Sequence, residues 1–167
     1  ARPTLFQVQF VNPASSAADI KVPFLCHSAS LPSADMGLIQ IPYFGRTIKL
    51  AGDRKFDGWN VEIYNDEDFA IRNALETWCS AINSVQGNVR GFGTSATSAY
   101  KSNAIVTQFS KTGVPLRKYM MNGIYPQAVA AIGLSWNQMD AIESFAVTFQ
   151  YDWWEVAGGI TGNGGAV

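Results

Sequence analysis

Hydrophobic and polar side chains alternate along several stretches of the chain, which is typical of β-strands with one buried face. Such stretches cover residues 5–11, 59–64 and 144–153. The last stretch is the clearest, because one side consists of valine and aromatic residues while the other is polar and almost uncharged. We therefore predict that residues 144–153 form one continuous strand.

One region, residues 66–84, has the period of an amphipathic helix instead. Asn65 or Asp66 is the expected N-cap, and Gly87 follows the expected exit. We expect four apolar side chains to anchor this helix on the core: Phe69, Leu75, Trp78 and Ile82.

The remaining segments are extended runs divided by turn residues. We expect an edge strand or loop arm at 20–32, an extended run at 38–50, a turn at 52–58, strands at 103–111 and 116–122, mixed structure at 124–136, and loops at 86–103 and 158–167. The sum predicts a mainly β fold, a sandwich or barrel of two packed sheets with one flanking helix. We predict a single domain over residues 1–157 and a flexible glycine-rich tail over 158–167.

Long amphipathic strands leave sheet edges with unpaired backbone donors and acceptors. Pro23 and Pro42 protect such edges only in part, and no edge carries a row of lysines. A chain of this kind either closes its barrel completely or pairs its edges with copies of itself.

The composition excludes several classes of protein. The 167 residues are 47% hydrophobic and 15% charged, with 12 Lys and Arg against 13 Asp and Glu and a formal net charge of -1. This composition excludes a disordered chain, and the lack of a basic run argues against general capture of nucleic acid. No apolar run approaches the ~18 residues of a membrane span, and residues 1–10 lack a secretory core, so we expect a soluble protein without a membrane span.

The residues that usually carry chemistry are sparse. Cys26 and Cys79 have no metal-ligand spacing and are expected to be reduced thiols. His27 adjoins Cys26, but neighbouring residues of a strand point to opposite faces, so a catalytic pair is disfavoured. Phosphate-loop and serine nucleophile motifs are absent. We therefore expect that the protein is not an enzyme and that it binds neither a metal nor a cofactor.

One alternative from another class stays open, namely a small carbohydrate-binding or carbohydrate-cleaving β-domain. Its candidate carboxylates are Glu62, Asp140, Glu143, Asp152 and Glu155. The adjacent Trp153 and Trp154 are candidates for stacking on a sugar. Because they point to opposite faces of a strand, core packing and a subunit contact explain them better.

Two regions contain a long, ordered set of residues that match the sequence pattern of a known protein family. The first, PYFGRTIKLAGDRKFDGWNVEIYNDEDFAIRNALETWCSAIN at 42–83, contains Gly45-Arg46, Ala51-Gly52-Asp53-Arg54, Phe56, Trp59, Val61, Asn65-Asp66, Phe69, Arg72-Asn73-Ala74, Glu76, Trp78 and Ile82-Asn83. The second contains Gly123, Pro126, Leu134-Ser135-Trp136 and IESFAVTFQYDWWE at 142–155. In these regions the chain resembles tail tube proteins of contractile-tailed, myovirus-type bacteriophages, to which type VI secretion tube proteins are related.

The resemblance implies a bent β-sandwich or barrel with a flanking helix that assembles as hexameric rings stacked into a hollow tube. The implied partners are further copies of the chain, a surrounding tail sheath, the baseplate and tail terminator at the ends, and the tape measure protein and double-stranded DNA in the lumen. It also implies a location in the virion after synthesis in the host bacterial cytoplasm. A tail terminator, a tube initiator or a secretion-type tube protein is the alternative within the same class.

The residues suggest where such an assembly would make contact. We expect Ser144, Thr148 and Gln150 to face the lumen, because a polar, nearly uncharged wall does not retain DNA phosphates. The alternative is that this face points outward to the sheath. Asp53 and Arg54 are candidates for charged contacts between subunits, and the alternative for them is a local turn with an internal ion pair.

Overall fold

The computed structural model describes residues 1–16, 18–91 and 96–161. In these residues the strands are β1 (Phe6–Phe10), β2 (Cys26–Ala29), β3 (Asp35–Tyr43), β4 (Arg46–Lys55), β5 (Trp59–Tyr64), β6 (Ser102–Phe109), β7 (Pro115–Val129), β8 (Ser144–Gln150) and β9 (Trp153–Gly158). Two α-helices, α1 (Val22–Leu25) and α2 (Ala70–Ile82), and a 3₁₀ turn at Thr97–Ala99 complete the described elements.

Seven strands form one antiparallel sheet that folds over at β7. Its order is β1-β6-β7-β8-β5-β2, and β9 pairs with β7. The first part of β7 pairs with β6 and β9, whereas Tyr125–Val129 pairs with β8. Gly123 lies at this change of partner with a φ of 71°, a conformation that disfavours side chains with a Cβ. The two halves of β7 thus belong to two layers, and the predicted mainly β fold with one main helix is confirmed.

The core lies between the two layers and under α2. The ring of Phe149 on β8 lies 5.4 Å from that of Phe10 on β1 and 5.6 Å from that of Trp59 on β5. Trp78 of α2 completes this cluster, with its ring 6.4 Å from Phe149 and its indole N–H donating to the Tyr100 carbonyl at 2.8 Å. The helix therefore covers one side of a core shared by both layers.

The helix begins later than the sequence pattern predicts. Neither Asn65 nor Asp66 caps it, because the chain turns at Phe69, which has a left-handed φ of 51°. Lys21 holds the preceding turn by ion pairs at 2.5 Å to Asp66 and 3.1 Å to Asp68. The expected N-cap was therefore wrong, because the helix begins at Ala70 with Phe69 in the N-cap position, and Asp66 Oδ1 accepts a hydrogen bond at 3.0 Å from the backbone N–H of Glu67.

The four expected helix anchors differ in burial. Leu75 and Trp78 are completely buried, and Ile82 packs partly buried against the core. Phe69 contradicts the expectation, because it is 41% exposed and lies before the first helical residue. Its left-handed backbone turns it out of the helical stripe.

The predicted strand at 144–153 is two strands. β8 ends at Gln150, and Asp152 forms a corner whose backbone N–H donates to the Asn122 carbonyl at 3.0 Å. The Asp152 carboxylate pairs with Lys101 at 2.7 Å and lies against Gly123, where an added Cβ would come within 2.2 Å of it. Period-two alternation continues through the corner, so the single-strand prediction was wrong.

Three further segments differ from expectation at least in part. Residues 52–55, predicted as a turn, lie in β4, where Arg54 is opposite Met36. The edge strand expected in the arm at 20–32 is present as β2, which pairs with β5, but helix α1 precedes it. In the predicted tail, Gly158 still belongs to β9 and Thr161 donates its hydroxyl to the Leu116 carbonyl at 2.9 Å.

The loop predicted at 86–103 is described only in part. Its final residues belong to the 3₁₀ turn and the start of β6. Residues 92–95 of this loop and 162–167 of the predicted tail lie outside the described residues.

Candidate subunit-contact surfaces

The β3–β4 hairpin is a separate two-stranded sheet. In the described part of the chain, neither of its strands pairs with the seven-stranded sheet. The register places Ile41 opposite Ile48 and Ile39 opposite Leu50, so these four side chains share one face. We call this surface, together with Tyr43, the apolar hairpin face.

The apolar hairpin face is uncovered in the single chain. Its five side chains are 44% to 59% exposed, and Phe44 at the tip is 91% exposed. Large apolar side chains grouped on one exposed surface mark a site of interaction. An isolated two-stranded hairpin is also at best marginally stable in water, so a further contact would stabilise it.

Asp53 and Arg54 lie in β4, at the end of the hairpin far from its tip, and both are exposed. Among the described residues neither forms an ion pair. The alternative of a turn with an internal ion pair is therefore wrong, and both charges are available to another molecule.

The outer face of the layer formed by β2, β5, β8 and the end of β7 is polar. Ser144, Thr148 and Gln150 lie together on it, because the alternate residues of β8, such as Val147, point into the core. Thr148 donates its hydroxyl to Asn60 Oδ1 at 2.8 Å, and Gln150 bonds to the side chain of Gln127 on β7. The three predicted lumen-facing residues thus occupy one hydrogen-bonded surface.

The charged groups of this polar face are few. Glu62 of β5 lies with one carboxylate oxygen 3.8 Å from His27 Nε2 of β2. The His27 ring stacks on Tyr64, with the ring centroids 4.1 Å apart. The face thus carries one carboxylate beside one imidazole, which agrees with the low charge inferred from the sequence of β8.

Three strands of the seven-stranded sheet leave an open edge in the described part of the chain. β1 pairs only with β6, β2 only with β5, and β9 only with β7. Their second edges offer backbone donors and acceptors to another chain. The sandwich therefore does not close its hydrogen bonding within one subunit.

The comparisons with known proteins agree with this geometry. Residues 1–157 match the sequence profile of the family described as "Phage tail tube protein". The chain belongs to the phage tail tube protein family. It is 35% identical over 156 residues to the tail tube protein gp19 of Enterobacteria phage T4, which covers 93% of this chain and 91% of gp19. The expectation of a tail tube protein of the contractile-tailed phages is confirmed.

The fold of this tail tube protein also occurs in other contractile systems. It matches the sheath/tube terminator of an extracellular contractile injection system, PVC, in its extended state, with a TM-score of 0.68, 12% identity, and 95% and 96% of the two chains covered. A type six secretion system protein matches with a TM-score of 0.52, 10% identity, and coverage of 92% and 82%. At these identities the likeness concerns the fold.

The residues considered for enzymatic chemistry have other roles in this tail tube protein. Asp152 forms the corner after β8, paired with Lys101, and Glu62 lies beside His27. Among the described residues, no three His, Cys, Asp or Glu side chains group as metal ligands, and no helix is long and apolar enough to cross a membrane. Because its relatives are structural tail tube proteins, the expectation that the chain is not an enzyme is confirmed.

The two tryptophans and the two thiols have distinct surroundings. Trp154 packs against the core and donates its indole N–H to the Ser33 carbonyl at 2.8 Å, whereas Trp153 is exposed. Burial raises the pKa of the Cys26 thiol to about 12, and burial, followed by the charge of Glu76, raises the pKa of Cys79. Both thiols therefore stay protonated at neutral pH.

One surface was missed by the sequence reasoning. The β7–β8 loop, residues 130–143, exposes four large apolar side chains: Leu134, Trp136, Met139 and Ile142. Their exposure ranges from 70% for Ile142 to 99% for Trp136. The signal in the sequence was a group of large apolar residues without helical or strand periodicity, and it was not interpreted as a contact surface.

Proposed function

We propose that this tail tube protein assembles with copies of itself into hexameric rings that stack into the inner tube of a contractile phage tail, and that double-stranded DNA leaves through the lumen. The observation that carries the proposal is the apolar hairpin face, which no part of the described chain covers. Its family membership supplies the functional class.

We expect the hairpin to contact an unlike surface of an identical copy. Such head-to-tail contacts generate closed rings or open helical filaments, whereas a contact between like surfaces closes as a two-fold dimer. The apolar hairpin face would be removed from water in the contact, at roughly 25 cal/mol per Å² of apolar area buried. The open edges of β1, β2 and β9 would gain partners in the same way.

The polar face of β5 and β8 is the proposed wall of the conduit. Its hydroxyl and amide groups keep water at the wall, and neither β5 nor β8 contains a lysine or arginine that would hold DNA phosphates. The opposite side of these strands is core, so only this side of the layer is available to line a lumen.

The proposed partners follow from this role. A solved structure with the same fold is described as a sheath/tube terminator, and we propose that the tube formed here lies inside a tail sheath. The tape measure protein would precede DNA in the lumen, and the baseplate and tail terminator would contact the two ends of the tube. The chain would be made in the host bacterial cytoplasm and incorporated into the virion, with residues 1–157 as the assembling domain.

Replacing two core members of the apolar hairpin face tests the proposal. The variant Ile41→Ser/Ile48→Ser should remain monomeric at concentrations where the unmodified protein forms rods in negative-stain images. Its melting temperature as a monomer should be unchanged, because the hairpin does not contribute to the core. Six-fold symmetry in averaged end views of the rods tests the ring size.

The matched control alters the opposite face of the same hairpin. Gln40 and Thr47 lie on that face, so Gln40→Ser/Thr47→Ser should still give rods. Rods of normal diameter from the Ile41→Ser/Ile48→Ser variant would refute the role of the apolar hairpin face. Monomers from the unmodified protein at all concentrations, even with isolated baseplates added, would refute the tube proposal itself.

We also propose that Asp53 and Arg54 make charged contacts between subunits, since both are exposed and without an ion pair among the described residues. Reversing each charge separately should weaken assembly, and reversing both should change it by an amount different from the sum of the two. Sedimentation of tubes against monomers measures this coupling. Strictly additive effects, or none, would remove both residues from the interface.

A further inference from the structure

Two surfaces of the chain concentrate its exposed large apolar side chains. One is the β3–β4 hairpin, and the other is the β7–β8 loop, in which Trp136 is almost fully accessible to water. Neither surface covers the other within the single chain, because the side chains of both remain exposed. Each therefore lacks an apolar partner.

The β7–β8 loop is held firmly at both ends. Ala130 N–H donates to the Ala146 carbonyl at 2.8 Å, and the Glu143 carbonyl accepts a hydrogen bond of 2.8 Å from Asn65 N–H. Arg72 of α2 donates to the Ala130 carbonyl at 3.3 Å. A projecting loop with fixed ends loses less conformational entropy on binding than a free segment, so its apolar residues suit an interface.

The charges of the two surfaces are complementary. The distal part of the hairpin, residues 38–50, carries Arg46 on the apolar hairpin face, Lys49 on the opposite face and no acid, whereas the β7–β8 loop carries Asp140 and Glu143 and no base. Among the described residues none of these four side chains forms an ion pair within the chain. Both surfaces are thus apolar, of opposite charge, and electrostatically unpaired.

We propose that the β7–β8 loop of one copy docks on the apolar hairpin face of another copy. Trp136 and its apolar neighbours cover the isoleucines of the hairpin, and the acids of the loop lie near Arg46, which is opposite Tyr43 on the same face. The contact joins two different surfaces, so it propagates from copy to copy. This inference rests on the proposed self-assembly and names the surface that receives the hairpin.

A second exposed apolar patch of the chain is a less suitable docking partner for the hairpin. Ile20 and Phe24, around helix α1, are exposed near the acids Asp66 and Asp68. Lys21 already pairs with both of these acids, at 2.5 Å and 3.1 Å. A basic hairpin would gain less there, because it would have to compete with an ion pair inside the chain.

Exchange of the charges between the two surfaces tests the docking. The hairpin variant Arg46→Glu and the loop variant Asp140→Lys/Glu143→Lys should each raise the concentration for half-assembly about tenfold, measured by sedimentation velocity. The chain that carries all three changes should return to within about threefold of the unmodified protein, because opposite charges face each other again. A combined variant no better than the worse of the two would overturn the inference.

Matched substitutions control for surface charge in general. Lys111→Glu and Glu67→Lys change exposed charges outside both surfaces and should leave the half-assembly concentration unchanged. If the unmodified protein assembles but the charge exchange restores nothing, only the docking fails. If the unmodified protein does not assemble, the proposed function fails, so the two failures are distinguishable.

Photo-crosslinking gives an independent readout in assembled rods. p-Benzoylphenylalanine in place of Trp136 should crosslink between copies to peptides from residues 35–55, identified by mass spectrometry. Intermolecular crosslinks mainly to the segment around Phe24 would overturn the assignment of the hairpin as partner. Because the substitution keeps a large aromatic side chain at a fully exposed position, it does not disturb the fold.

Discussion

Strand β8 and the β3–β4 hairpin show the same alternation of apolar and polar residues but opposite burial. In β8, Phe145, Val147 and Phe149 are buried under β1 and helix α2. In the hairpin, the equivalent side, with Ile41 and Ile48, remains open to water. Alternation therefore shows that a face must be covered, and it does not say whether the same chain or another copy covers it.

The two regions also differ in what holds them. The sandwich is stabilised by a core shared between two layers and a helix. Within the described residues, the hairpin is held only by the pairing of its own two strands. Loss of a side chain should consequently reduce the stability of the monomer in the sandwich and reduce only assembly in the hairpin.

The largest effect on monomer stability is expected from Trp78→Ala. The substitution removes a completely buried side chain and its hydrogen bond to the Tyr100 carbonyl, and it should lower the free energy of unfolding by about 3–5 kcal/mol. Denaturant unfolding in the non-assembling Ile41→Ser/Ile48→Ser background measures this change without a contribution from assembly.

Trp136→Ala is the matched control for that prediction, since it makes the same chemical change at a side chain that is 99% exposed. It should alter the free energy of unfolding by less than about 0.5 kcal/mol. Equal losses for the two tryptophans would break the distinction between the sandwich and the projecting surfaces.

The sequence pattern was sufficient for elements whose partners lie close in the chain or follow a simple period. The strand at residues 59–64 and the buried stripe of α2 around Leu75 and Trp78 follow directly from alternation and helical spacing. The mainly β fold with one main helix could be predicted because these local signals agree with one another.

The parts that could not be predicted depend on contacts between distant residues. Lys21 pairs with Asp66 in the turn that precedes α2, although 45 residues separate them in the chain. Lys101 fixes the Asp152 corner that ends β8, and Gly123 leaves room for it. None of these side chains changes the hydrophobic period. A prediction from the period alone therefore starts α2 too early and continues β8 beyond its end.

The candidate surfaces show the same division. The polar face with Ser144 and Thr148 could be predicted, because β8 alternates regularly. The apolar hairpin face and the β7–β8 loop could not, since large apolar residues in a sequence are normally assigned to the core. Their uncovered position in the folded chain is the observation that supports their proposed role as contact surfaces.

The smallest effect on stability, with a distinct effect on function, is expected on the polar face. Ser144→Lys/Thr148→Lys adds two positive charges per copy at positions outside the core and removes the Thr148 bond to Asn60, so monomer stability should change by no more than about 1 kcal/mol. If this face lines the lumen, tubes should still form, but the lysines should attract DNA phosphates and slow genome release, as followed by dye binding to ejected DNA.

The control Ser144→Gln/Thr148→Gln adds side chains of comparable reach without charge, and it should release DNA at the normal rate. Slow release in both variants would indicate a narrowed channel rather than electrostatic retention. Normal release with lysine, combined with weaker association of the sheath, would place this face on the outside of the tube. The polar side of β8 would then resemble the hairpin more than the core it covers, because its contacts would also be made with another protein.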